Sequence, residues 1–412
     1  MKHIYFDHSA TTPVDGKVLA AMMPYFSKTY GNPSSIHNFG QNAVMAVDEA
    51  RESVAKFLNC VPEEVIFTSG STESDNLAIR GAIKALLKKG VKKPHVITTT
   101  IEHPAVLEPC AELQRGGVEV TYLKVKPNGV IASNDLKKAI KDSTVLISVM
   151  YVNSEVGSIQ PIKEIGKMIK KINENRFKTW READLKTRGD KPMPILFHTD
   201  ATQALNFLDC DVQKNNIDLL SMSGHKIYGP KGVGALFVRT GTPLRALQLG
   251  GHHENNFRSG TLNVTGIVGL GAAVRELSRK KVDVNNKKIA RLRDTLVKGI
   301  MKNIPDVVLN TDRDNATPSH AHFSFLGVEG ESALISLDLA GIAVSTGSAC
   351  ASGSLKPSHV LLAMGIKQEV AHNSIRFTLG KNNTMEEIKK AIKVLPPIIR
   401  KLRKMNPLKK AE

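Results

Sequence analysis

The sequence predicts an α/β protein with two parts: a large domain built on a mainly parallel seven-stranded sheet between helices, and a smaller α+β domain. Three observations carry this expectation. Seven short apolar runs recur between residues 65 and 238, and helical stretches separate most of them, the pattern of a parallel sheet with helices on its faces. After residue 262 the rhythm changes to long helical stretches around two strand-like runs. A chain of 412 residues is long enough for two separate cores. The large domain is expected over 15–262, and the small one over 1–14 with 263–412.

Taken in order, residues 41–58 place Val44, Val47, Val54 and Phe57 on one helical face. The seven runs are V-I-F-T (65–68), V-I-T-T (96–99), V-T-Y-L (120–123), V-L-I-S-V-M (145–150), I-L-F (195–197), L-L-S-M (219–222) and A-L-F-V (235–238). The last two lie close together, so one edge of the sheet is expected to be antiparallel. Residues 173–194 are polar and basic and separate a helix from a strand, where about 2–6 residues usually suffice. They read as an inserted surface excursion, either neutral or partner-docking. Helices follow over 262–280, near 283–303 and from about 385 to 404, with strands near 320–326 and 374–379.

Composition narrows the function. No apolar run reaches the ~18 residues that span a bilayer, and the start M-K-H-I-Y-F-D has no signal-peptide core, so a cytoplasmic protein is expected. The 57 Lys and Arg outnumber 39 Asp and Glu, and the net charge of +18 suits acidic partners, nucleic acid or anionic ligands, unless it only reflects the host's general composition. Four dispersed cysteines form no C-x-x-C pair, which argues against a zinc site or a disulfide framework. Cys60, Cys110 and Cys210 sit within or beside apolar segments and read as inert thiols. Cys350 differs: it stands alone in S-T-G-S-A-C-A-S-G-S (345–354), a run of small residues that cannot build a core.

Four strand ends carry candidate chemistry. In S-M-S-G-H-K-I-Y-G-P-K-G (221–232), Lys226 follows a strand and precedes a tight turn, a setting that fixes and partly desolvates an amine nucleophile. In F-H-T-D-A-T-Q (197–203), Asp200 and Gln203 follow a strand end, where ligands bind in open α/β sheets. In F-T-S-G-S-T-E-S-D-N (67–76), Ser71 and Thr72 would open a helix whose free N–H groups suit a phosphate. In E-H-P-A-V (102–106), His103 could stack on a flat cofactor and handle a proton. Each alone has an ordinary structural reading: a solvated lysine, a turn aspartate, a capping turn, a loop histidine. Together they form the equipment of a pyridoxal phosphate site.

These motifs, with Y-F-D-H-S-A-T-T-P-V (5–14), G-N-P-S-S-I-H (31–37), N-S-E-V-G (153–157), R-S-G-T (258–261) and S-I-R-F-T-L-G (374–380), resemble the cysteine desulfurases of the NifS/IscS type, in the class V aminotransferase branch of fold type I pyridoxal phosphate enzymes. The resemblance implies that Lys226 holds pyridoxal phosphate as a Schiff base, Asp200 pairs with its ring nitrogen, Gln203 bonds its ring oxygen and His103 stacks on it. Ser71, Thr72, Ser223 and His225 would bind the phosphate, with Thr261 reaching it from the other subunit of a homodimer. Asn153, beside the cofactor, and Arg376 would fix the carboxylate of the substrate L-cysteine, since a guanidinium matches a carboxylate bidentately. Cys350, on a small-domain loop, would take the sulfur as a persulfide, release alanine and carry the sulfur to an acceptor such as an iron–sulfur scaffold or a tRNA-thiolation enzyme. No metal, membrane or direct nucleic-acid binding is expected.

The alternative within the fold is a selenocysteine lyase or another class V enzyme. Outside it stands a basic, non-catalytic binding protein, which would be colourless. Some features depart from the pattern: His8 where Asn is more usual, the length of 173–194, and H-H-E at 252–254, read as a loop lining the active site. The basic end I-I-R-K-L-R-K-M-N-P-L-K-K reads either as a solvated helix face or as a surface that helps dock an acidic sulfur acceptor or tRNA-modifying partner.

Overall fold

The computed structural model describes residues 3–183, 192–346 and 357–406. The strands in chain order are β1 (Ile4–Tyr5), β2 (Val65–Thr68), β3 (His95–Thr99), β4 (Glu119–Leu123), β5 (Thr144–Ser148), β6 (Leu196–Asp200), β7 (Leu219–Ser223), β8 (Gly234–Val238), β9 (Val307–Leu309), β10 (His320–Phe325), β11 (Ile342–Ala343) and β12 (Ser374–Thr378). Strands β2 to β8 form one seven-stranded sheet in the order β2-β8-β7-β6-β5-β3-β4, and each of the seven apolar runs supplies one of them. The antiparallel strand is β8, which lies one position in from the edge, not at it. Only a short turn joins β7 to β8, with no crossover helix, so the chain must double back. β2 then closes on its far side.

Side chains alternate across this sheet, and both faces are apolar. Phe67, Ile97, Ile147, Phe197, Leu220 and Phe237 pack on one side under helices Asn38–Leu58, Ile162–Glu182 and Val264–Arg275. Ile66, Val96, Leu146, Leu196, Leu219 and Leu236 pack on the other with Ile79, Ile83, Leu86 and Cys110. The buried residues of helix Asn38–Leu58 are Gly40, Ala43, Ala46, Val47, Ala50, Val54, Ala55 and Leu58, while Val44 and Phe57 are half-buried. Small residues take that face because helix Val264–Arg275 approaches closely: a Cβ on Gly271 would stand 2.7 Å from the Cα of Ala50.

A second core forms around β10, with Phe6, Phe323, Phe325, Phe377, Leu296 and Ile399. There β12, β10 and β9 make an antiparallel sheet, and β1 pairs with β11 in parallel. Helices Arg279–Asn303, Gly330–Leu339 and Met385–Met405 surround it.

Residues 173–194, expected as a surface excursion, are helical over their first half: helix Ile162–Glu182 runs on through them. Their polar side chains clamp this helix to the sheet. Asn173 exchanges two hydrogen bonds with the backbone of Ile195, and Arg176 donates to the carbonyls of Thr144 and Lys141. At Asn173 and Arg176, polarity marks helix anchors. Residues 184–191 lie outside the described residues. Among the described residues no helix is long and apolar enough to cross a membrane.

Candidate active site

A cavity of about 310 Å³ opens where β3, β5 and β6 end, and the turn after β7 closes one side of it. Lys226 enters from the tight turn Gly224–Lys226; its Nζ donates to the carbonyls of Ser9 and Ala10, each at 2.6 Å. Asp200, the last residue of β6, reaches the cavity with one carboxylate oxygen accepting the N–H of Thr202 at 2.9 Å. Gln203 follows and donates to the Ser9 carbonyl at 2.9 Å.

His103 caps helix Pro104–Arg115. Its Nδ1 accepts the Ala105 N–H at 3.1 Å, so the neutral ring carries its proton on Nε2. Burial holds the His103 pKa below the usual histidine range, and the Lys226 charge adds to this, against the pull of Asp200. The residue before it, Glu102, is wholly buried and accepts from Thr99 and from the Met150 N–H. Burial pushes its pKa up to about 8.

Ser71 and Thr72 line the cavity at the start of helix Ser71–Asn76. Gly70 precedes them with φ of +155°, and a Cβ on Gly234 would stand 2.7 Å from the Gly70 Cα. Two glycines thus let this turn lie flat on β8. Ser223 sits behind it, its Oγ 3.8 Å from where a Gly70 Cβ would be, without lining the cavity. His225 does line the cavity, bonded through Nδ1 to the Thr11 hydroxyl; burial, then Lys226 and Lys231, lower its pKa to about 4.

On the opposite wall stands Arg376, only 3% exposed, from the middle of β12. Asn153 is not among the residues that line the cavity. Its amide nitrogen donates to the Ile101 carbonyl, and its oxygen accepts the N–H groups of Glu155 and Val156. It builds the turn at 153–157 and presents Ser154, which does line the cavity. Thr261 is exposed and lies outside this lining within the single chain. Cys350 lies outside the described residues. The H-H-E loop is not part of the lining either: Glu254 turns inward, bonded bidentately to Arg51 and to the N–H of Phe67. Burial pushes the thiols of Cys60, Cys110 and Cys210 up to about 12, as suits inert cysteines.

Residue-level reading passed over the segment Asp7–Thr12, which straps the site. Besides holding Lys226 and Gln203 through its carbonyls, it bonds Ser154 through the Ser9 hydroxyl and His225 through Thr12. The dense small-residue motif D-H-S-A-T-T-P was the available signal. Ser154 was likewise readable inside N-S-E-V-G.

The Aminotransferase class-V family model matches residues 4–177 and 184–391, passing over 178–183 within the expected excursion. A cysteine desulfurase IscS of Dictyoglomus turgidum is 46% identical over 408 residues, covering 99% of this chain and 97% of that protein. Among solved structures, a NifS-like protein superposes with a TM-score of 0.86 at 36% identity, covering 97% of this chain and all of the other. The structure of SspA in complex with cysteine gives a TM-score of 0.76 at 36% identity, covering 92% and 100%.

Proposed function

The chain belongs to the class V aminotransferase family, on its cysteine desulfurase branch, and from that premise we propose how its own residues convert L-cysteine to L-alanine and pass on the sulfur. The observation that carries this reading is the convergence of Lys226, Asp200, His103 and Arg376 on one cavity.

The cavity suits pyridoxal phosphate. It offers one amine, one carboxylate for a ring nitrogen, one imidazole, and a glycine-opened helix start with Ser71 and Thr72 for a phosphate. Lys226 would hold this cofactor covalently, Asp200 would face its ring nitrogen and Gln203 its ring oxygen. His225, with Ser223 behind the turn, would complete the phosphate site, and Thr261 would reach it from the other protomer of a homodimer. When bound, the group supplies the electron sink that weakens the Cβ–S bond of cysteine.

Arg376 orients the substrate through its carboxylate. Neutral His103, with its proton on Nε2, moves protons beside the reacting carbon. The Cys350 thiolate attacks the substrate sulfur; the Cβ–S bond breaks, an S–S bond forms on Cys350, and Cβ takes a proton to give alanine. Two flanking anchors support this. Ser345 pairs with the Arg376 backbone in both directions. Beyond the segment, Ser358 bonds Glu155 and His359 bonds the Glu102 carbonyl. The chain carrying Cys350 therefore leaves from and returns to neighbours of cavity residues.

The persulfide goes to an acidic acceptor, an iron–sulfur scaffold or a thiolation enzyme, in a cytoplasmic setting. The test is to incubate purified protein with cysteine and a small thiol reductant, which reduces the persulfide to sulfide, and to measure alanine and sulfide. Wild type should yield both, and Cys350→Ser neither at a comparable rate. Release of selenide from selenocysteine, with no alanine from cysteine, would overturn the assignment in favour of a lyase.

A further inference from the structure

The Arg376 guanidinium is buried in a cavity wall, and a buried cation without a counter-charge is costly. Its counter-charge is Asp7. Nη2 donates to Asp7 Oδ1 at 2.8 Å, and Nη1 donates to the Ser154 carbonyl at 3.0 Å. The other buried carboxyl near Arg376, Glu155, is occupied by Ser358. Backbone pairing sets the contact: Asp7 bridges to Thr378, two residues along β12 from Arg376, so both side chains meet on one side of the strand pair. The Asp7 carbonyl is itself held by the Tyr5 hydroxyl at 3.0 Å.

A guanidinium has five N–H bonds in a fixed fork. One on each terminal nitrogen is used by Asp7 and Ser154, and Nε has no partner among the described residues. The plane of the fork is thereby fixed, and the second N–H of each terminal nitrogen has no hydrogen-bond partner among the described residues. We propose that Asp7 is the positioning residue for Arg376: it sets the orientation in which the arginine receives the amino-acid carboxylate and balances its charge until that carboxylate arrives. The inference rests on the reading of Arg376 as the carboxylate site.

The test uses calorimetric titration of the cofactor-loaded protein with L-alanine and with ethylamine, its counterpart lacking a carboxylate. Arg376→Ala should weaken L-alanine by about a hundredfold and leave ethylamine nearly unchanged. Asp7→Ala should weaken L-alanine by about thirtyfold, and Asp7→Asn, which keeps a neutral acceptor of the same shape, by about fivefold, again without affecting ethylamine. In the Arg376→Ala background, Asp7→Asn should have no further effect on L-alanine. If Asp7→Ala does not fold, Asp7→Asn decides alone. Unchanged L-alanine affinity in Asp7→Asn, or equal weakening of both ligands, overturns the role of Asp7. Unchanged L-alanine affinity in Arg376→Ala overturns the carboxylate site itself.

Discussion

Ser358 donates its hydroxyl to the buried carboxyl of Glu155, which fastens the first turn of helix His359–Ala363 to the turn that presents Ser154 to the cavity. The same hydroxyl accepts the Leu361 N–H as the helix cap. Burial raises the Glu155 pKa from 4.5 to about 7, against the opposing effects of Ser358 and Arg376. The native state therefore holds this proton more tightly than the unfolded chain does. Its contribution to stability is complete below pH 4.5 and is lost as pH rises through about 7. Glu155→Gln cannot titrate. The stability of wild type relative to this variant should fall by about 3 kcal/mol across that window. Urea titrations of both proteins at several pH values measure it; parallel curves would contradict the assignment.

Lys226 bears on colour as well as on rate. Its Nζ rests on two carbonyls of the Asp7–Thr12 strap, which aim it into the cavity. Purified protein should absorb near ~400 nm through a Schiff base at this amine. Lys226→Ala should lose that band, and added pyridoxal phosphate should not restore a band that survives desalting. A colourless wild type that takes up no pyridoxal phosphate would favour the non-catalytic reading.

The sheet was legible because each strand is a short apolar run bounded by polar or glycine-rich turns, and burial on both faces demands that pattern. The position of β8 was not legible, since its pairing with β2 is a contact between strands far apart in sequence. Within the site, Lys226, Asp200 and His103 stood out because a strand end followed by a tight turn leaves a local trace. For Asn153 the sequence showed less: N-S-E-V-G is also the turn its side chain builds through Ile101, Glu155 and Val156, and a single sequence does not separate a turn-building amide from a ligand-facing one. Asp7 escaped because its partner, Arg376, lies at the far end of the chain and only the fold joins them.

The Arg51–Glu254 pair should be structural. Glu254 is almost wholly buried, bonded to both terminal nitrogens of Arg51 and to the Phe67 N–H, and it begins three consecutive residues with left-handed backbone, Glu254, Asn255 and Asn256. Such conformations persist only when surrounding contacts impose them. Glu254→Ala leaves the arginine without its carboxylate, though still bonded to the Val65 carbonyl, and releases the turn, and should cost about 3–5 kcal/mol in urea unfolding. Arg51→Ala should cost a similar amount, and the double variant less than the sum of the two. Additive losses would show that the two side chains act independently.

The basic helix Met385–Met405 carries both charges that build the fold and charges that stay exposed. Arg403 is structural: its guanidinium donates to the carbonyls of Leu326, Pro305 and Asp306. Arg400, Lys401 and Lys404 share that last stretch and are exposed on the helix. Converting Arg400, Lys401 and Lys404 to Gln should leave alanine production from cysteine intact when a small thiol reductant accepts the sulfur. The same variant should transfer less sulfur to an acidic acceptor protein, and its affinity should depend less on salt, because fewer screened charge pairs form on encounter. Arg403→Gln should instead lower stability, by about 1–3 kcal/mol, through the three hydrogen bonds it removes from the carbonyls of Leu326, Pro305 and Asp306. Acceptor affinity and salt dependence equal to wild type in the triple variant would place the docking surface elsewhere on the molecule.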